Sequence, residues 1–101
     1  MVEYKIKWNK TANESLVQIL DFYINQNGNN HYSSKLFDLI INGVNNLKKF
    51  PKAGKRTGYF DILELVLDRN SVFYKIVSDL VIILLVWDNR QNPEELIFLL
   101  K

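Results

Sequence analysis

The stretch from Lys48 to Arg56 holds Lys48, Lys49, Lys52, Lys55 and Arg56, five positive charges in nine residues with no acid among them. Such a run suits contact with a polyanion or an acidic protein, and each phosphate contact would add a salt-dependent electrostatic contribution. The same composition also describes a solvated surface loop. Tyr59 and Phe60 border the run, and aromatic rings beside cations can stack on bases. Phe60 is expected to close an edge of the core, which leaves Tyr59 as the open ring. Lys52, Lys55, Arg56 and Tyr59 are therefore candidate contact residues. Proton-transfer groups are scarce by comparison. His31 is the one histidine and falls in a predicted turn, and cysteine is absent. A thiol nucleophile, a disulfide scaffold, an iron–sulfur cluster and a thiolate zinc site are excluded. No metal or cofactor is expected, since a His-based site needs more than one histidine.

The elements that must position these residues follow from periodicity. Val2, Tyr4, Ile6 and Trp8 alternate with Glu3, Lys5 and Lys7, a strand with one apolar face. Thr11-Ala12-Asn13-Glu14 matches a capping box, with Thr11 as N-cap. Leu16, Ile19, Leu20, Tyr23 and Ile24 then recur at helical spacing and stop near Gly28. Asn29-Asn30-His31 reads as a turn. Tyr32, Leu36, Leu39, Ile40, Val44 and Leu47 form a second helical stripe, on which Gly43 is expected to allow close approach to the first helix. Phe50-Pro51 should end that helix, because proline disfavours the α conformation in the residue before it. Two helices joined by so few residues form an antiparallel hairpin.

Residues 51–60 read as a basic loop. Residues 62–67 and 72–77 read as strands, with Asp68-Arg69-Asn70-Ser71 and Ser78-Asp79 as turns. Leu80 to Trp87 is apolar throughout, which places it in the sheet centre with both faces covered. Leu84→Ala is accordingly expected to cost about 2–5 kcal/mol. Asn92-Pro93-Glu94-Glu95 has the chemistry of a helix start, and Leu96 to Leu100 would form a short terminal helix. The expected fold is α+β, ordered β-α-α-β-β-β with a short C-terminal helix. A helical hairpin packs on a mainly antiparallel four-stranded sheet, and residues 1–101 make a single domain.

Composition agrees with that picture. A chain of 101 residues that is 48% hydrophobic is too apolar for a disordered segment and suits one core. The net charge of +2 makes no demand for nucleic acid, so its distribution matters more than its sum. The apolar run Leu80 to Trp87 is under half a membrane span, and the first residues lack the apolar stretch of a signal peptide. A cytoplasmic location without membrane contact is the expectation.

Several strings, taken in order, resemble the RelE/ParE superfamily of type II toxins over nearly the whole chain. They are Trp8-x-x-x-Ala12, Leu47-x-x-Phe50-Pro51-x-x-Gly54, Phe73-Tyr74-Lys75-Ile76, and Ile83 through Trp87-Asp88-Asn89-Arg90-Gln91-Asn92-Pro93. The family holds unlike mechanisms on one fold, so fold does not settle function. The resemblance implies either a RelE-like ribosome-dependent mRNA endonuclease or a ParE-like inhibitor of DNA gyrase. It implies neutralisation by a cognate antitoxin in both cases, in a possible toxin–antitoxin hetero-oligomer.

Cutting RNA through its 2′-hydroxyl needs a base, an acid and charge stabilisation of the phosphorane. Matched to the family, Ser71 stands where such enzymes often carry an arginine, and Ile62 and Glu64 stand where lysines are expected. Leu96 or Ile97 stands near the expected tyrosine. If the chain is a ribonuclease, the resemblance leaves Glu64, Lys75 and Arg90 for catalysis. Glu64 reads more simply as a solvent-facing strand carboxylate, and Arg90 either contacts a target or pairs with Asp88. Tyr74 reads as structural, with a buried ring. Trp87 reads as a sheet-face residue or as a strand-end contact beside Arg90, and joins the candidate contact residues. The resemblance therefore favours a ParE-like toxin that is not an enzyme, one associated with plasmid stabilisation and growth inhibition. A degenerate, non-toxic binding module is a further alternative.

Overall fold

A computed structural model describes residues 3–92 and 94–96. The order is β1 (Lys5–Trp8), α1 (Lys10–Asn27), α2 (His31–Asn46), β2 (Lys55–Arg56), β3 (Leu63–Leu67), β4 (Asn70–Val77) and β5 (Leu80–Asp88). The strands form one sheet in the order β1-β5-β4-β3-β2. β1 runs parallel to β5, and the other neighbours are antiparallel. The α+β class and the helical hairpin agree with the sequence, but the sheet has five strands where four were expected. The addition is β2, two basic residues inside the expected loop, too short to show alternation.

Local chemistry sets the helix ends. Asn9, not Thr11, caps α1, and its Oδ1 accepts the Ala12 N–H at 2.7 Å. Asparagine is the stronger cap and leaves Thr11 inside the first turn. Glu14 faces Lys10 instead, at 3.8 Å. α1 ends at Gly28, whose φ of 72° is the left-handed cap that glycine adopts without strain. α2 ends at Asn46, earlier than Phe50-Pro51, and hydrogen-bonded turns carry the chain out to Phe50. Asn45 and Asn46 have low helix propensity, which agrees with the early stop. The Ser33 hydroxyl donates to the Leu20 carbonyl at 2.8 Å and ties the two helices together. Gly43 does allow a close approach, but to β3: a Cβ there would stand 2.6 Å from a methyl of Leu67.

Both β-turns are two residues long, at Asp68-Arg69 and Ser78-Asp79. Asp68 and Ser78 each take a φ of 57°. Asn70 and Ser71, expected in the turn, instead open β4 and are buried. At the end of the described chain, Asn92 Oδ1 accepts the Glu94 N–H at 3.0 Å, as expected of its cap. Residues 94–96 are helical. The rest of the expected terminal helix, and Pro93, lie outside the described residues.

The helices cover one sheet face. Leu16, Ile19 and Tyr23 of α1 and Leu36, Ile40 and Val44 of α2 meet Val72, Tyr74, Val81, Ile83 and Val86 there. A smaller cluster, Phe73, Leu85 and Trp87 with Ile62 and Leu96, lies on the outer face. β5 changes phase between the two. The register runs Phe73↔Leu85 and Tyr74↔Ile83, so Leu84 is the extra residue of a β-bulge. Odd positions face the helices before the bulge and even positions after it. Leu84 itself is half-buried, contrary to expectation.

Tyr74 is fully buried. Its hydroxyl donates to the Pro51 carbonyl at 2.7 Å and accepts the Gly54 N–H at 2.9 Å. Gly54 is needed for this approach, because a Cβ would lie 2.7 Å from that hydroxyl. Burial pushes the Tyr74 pKa above 10.0, partly opposed by the Gly54 N–H. The folded state therefore holds the proton more tightly than the unfolded state. The resulting stabilisation is complete below the unfolded value near pH 10 and is lost as pH rises through the folded value. The melting temperature is expected to fall above about pH 10. Tyr74→Phe should be less stable at neutral pH by about 1–3 kcal/mol, through unpaired polar groups, and should show a shallower alkaline decline. Melts across that pH range check both; parallel declines in the two proteins would remove Tyr74 as the cause.

Candidate functional site

The outer sheet face carries Glu64 from β3, Ser71, Phe73 and Lys75 from β4, and Leu85 and Trp87 from β5. Asn89 Nδ2 donates to Ser71 Oγ at 2.9 Å, and Ser71 Oγ donates to Glu64 Oε2 at 2.5 Å. Glu64 is therefore half-buried and engaged, not the freely solvated carboxylate the sequence suggested. Ser71 is fully buried, so this chain clamps β3, β4 and the Asn89 turn and offers no accessible nucleophile. Next to it, Phe73, Leu85 and Trp87 make the face apolar. Lys75 shares this face in register with Ile82.

Arg90 belongs to the other side. The bulge turns Asp88 toward the helices, where Tyr23 O–H donates to Asp88 Oδ2. Arg90 Nε donates to Asp88 Oδ1 at 3.1 Å, and Nη2 donates to Oδ2 at 3.0 Å. The Arg90 backbone N–H adds a third bond to Oδ1 at 2.9 Å. The guanidinium carbon lies 4.8 Å from the Tyr23 ring centroid, a cation–π distance. The Asp88 side chain is 6% exposed and that of Arg90 43% exposed, so the pair joins a buried acid to the rim of a cleft. That cleft, about 730 Å³, is walled by Phe22, Tyr23, Tyr32, Arg69 and Gln91. Glu64, Lys75 and Arg90 are thus not brought together, and Trp87 and Arg90 lie on opposite faces. Tyr23 and Asp88 matter more than their sequence context implied. Tyr23 sits on an apolar helix stripe that reads as core, and Asp88 follows an apolar run whose facing cannot be read.

The basic segment divides as well. Lys52 and Arg56 line a shallow cleft of about 460 Å³ with Phe60, Asp61 and Ile62. Lys55 pairs in register with Glu64 and so shares the outer face. Tyr59 is half-buried, whereas Phe60 is 85% exposed and does not close the core edge as expected. A φ of 51° at Phe60 turns the ring outward. Among the described residues the ion pairs are Lys10–Glu14 and Arg90–Asp88, so Lys52, Lys55 and Arg56 have no acidic partner. No group of three or more His, Cys, Asp or Glu that could hold a metal occurs among the described residues.

Comparison with known proteins places this geometry. Among solved structures the chain is similar to the chromosomal ParDE toxin–antitoxin system of P. aeruginosa. The identity is 21%, over 85% of this chain and 96% of that one, with a TM-score of 0.74. It is also similar to the toxin–antitoxin complex RelBE2 of Mycobacterium tuberculosis. There the identity is 18%, over 84% of this chain and 96% of that one, with a TM-score of 0.64. Both likenesses show the fold. No curated protein sequence matches the chain significantly. The family model described as the ParE toxin of the type II toxin–antitoxin system parDE matches residues 6–93. With nearly every described element inside that match, the chain belongs to the ParE toxin family of type II toxin–antitoxin systems.

Proposed function

We propose that this toxin arrests growth in the cytoplasm by binding DNA gyrase through protein–protein contact, and that a cognate antitoxin holds it inactive. One observation carries the choice of target class. Arg90 is committed to Asp88 and Tyr23 on the helix side, while Glu64 and Lys75 lie on the outer face. General acid–base cleavage of RNA needs its proton donor, its base and its phosphate clamp around one reacting centre. Three candidates on two faces of a sheet do not supply that. The apolar cluster of the outer face, Phe73, Leu85 and Trp87, is itself buried and packed against Ile62 and Leu96, so it supplies no reacting group either. That both similar structures are toxin–antitoxin assemblies supports the antitoxin partner.

Purified toxin is expected to inhibit gyrase supercoiling of plasmid DNA and to be relieved by stoichiometric antitoxin. Transcripts should stay intact after induction without antitoxin. Rapid mRNA cleavage in translating ribosomes, with gyrase unaffected, would sink the proposal in favour of a RelE-like endonuclease. Harmless expression of the folded chain would favour a degenerate binding module.

A further inference from the structure

The tip of the basic segment is built to hold an aromatic ring in water. Phe60 is 85% exposed and adopts a φ of 51°, a strained region that bulky residues rarely enter. Four hydrogen bonds fix the turn that presents it. The Thr57 N–H and Oγ1 both donate to the Ile62 carbonyl, at 3.2 and 3.0 Å. The Tyr59 N–H donates to Thr57 Oγ1 at 3.1 Å, and the Ile62 N–H donates to the Tyr59 carbonyl at 3.0 Å. Gly58, at a φ of 86°, supplies the bend. On the preceding side, the buried Tyr74 hydroxyl pins Pro51 and Gly54, which flank Lys52. The backbone that carries the ring is thus held in place, which lowers the ordering cost of binding a ligand there.

The neighbours identify the ligand class. Lys52 and Arg56 line the same shallow cleft as Phe60. Neither has an acidic partner within ion-pair distance among the described residues. Phe50, two residues before Lys52, is also exposed. Asp61 also lines the cleft, but the two cations outnumber it, and Ile62, Leu63 and Ile76 add apolar wall. An outward-held ring beside two unpaired cations suits a flat base carried on a phosphodiester backbone. We propose that the 50–60 segment binds single-stranded nucleic acid, with a base stacked on Phe60 and the adjoining phosphates on Lys52 and Arg56. This reaches beyond the gyrase reading and stands or falls independently of it.

The test is fluorescence anisotropy of the free full-length toxin with labelled oligo(dT) and oligo(U), in about 50 and 200 mM salt. Two phosphate contacts predict a loss of affinity of about 7-fold between those salts. Phe60→Ala should weaken binding by about 5- to 150-fold at either salt. Its melting temperature should not fall, because the ring contributes no core burial. The double variant Lys52→Ala/Arg56→Ala should flatten the salt dependence while keeping the fold. Tighter binding of oligo(dT) would assign the site to DNA and tighter binding of oligo(U) to RNA. Equal affinity would still support the site, as recognition of stacking and phosphate alone. An unchanged affinity in Phe60→Ala would overturn it, as would an equally tight duplex. Displacement of the oligonucleotide by poly-glutamate at equal charge would also overturn it and mark the patch as a contact for acidic protein.

Discussion

Alanine at Ile83 is expected to lower the unfolding free energy by about 2–5 kcal/mol, and alanine at Leu84 by only about 1 kcal/mol. The two residues are adjacent aliphatics in one apolar strand, and sequence alone ranks them together. The bulge separates them. Ile83 is fully buried beneath the helices opposite Tyr74, so its loss leaves a cavity in the main core. Leu84 is the unpaired extra residue and keeps part of its surface in water. In a domain of this size, about 1 kcal/mol moves the melting temperature by roughly 4–8 °C, so the variants should separate clearly. Denaturant titration of both gives the comparison. Equal losses would mean that β5 has no bulge in solution and that its facing has been misassigned.

That bulge also marks where sequence reading stops. Periodicity carries the order of the main elements, because α1, α2 and the meander each bury one face and show it in their spacing. An all-apolar strand has no such phase, and Leu80 to Trp87 reads the same with or without an inserted residue. One insertion moves every later side chain to the opposite face. Without it Trp87 would join the helix-side core, and Asp88 would point away from Tyr23. The facing of Arg90 was therefore illegible even though Arg90 itself was singled out. Phe60 escaped for a different reason. A phenylalanine reads as a core residue, and only a positive φ, which no spacing rule reveals, turns it outward. β2 is simply too short to leave a pattern.

Arg90→Ala should reduce both stability and growth arrest. The variant loses two guanidinium–carboxylate bonds and the contact over Tyr23, and leaves Asp88 in place and almost fully buried. Bonds to a charged group contribute about 1.5–3 kcal/mol; partial exposure of the guanidinium holds this case to the lower half of that range. Arg90→Lys should recover less than half, because an ammonium cannot reproduce the paired fork. Thermal melts give the first readout. Growth arrest at a temperature where the variant is fully folded gives the second, and it should stay impaired, since the outer edge of Arg90 meets solvent at the rim of the cleft. An unchanged melt would show that the pair with Asp88 does not form in solution. Full growth arrest at low temperature would reduce Arg90 to a structural role.

The parallel pairing of β1 with β5 sets an order of events during synthesis. Lys5 finds its partner at Leu80, and Trp8 at Ile83. β5 is the last described strand to leave the ribosome, yet it sits between β1 and β4 and contributes to both apolar clusters. Until it emerges, β1 has nothing to pair with and α1 has no strand floor. The helical hairpin can form early, but the sheet closes in one late step across a long loop, which is the slow kind of contact. A chain interrupted before residue 80 lacks the strand on which the fold is assembled. Fragments released by stalled or aborted translation should therefore be unfolded and harmless, and prey to proteolysis.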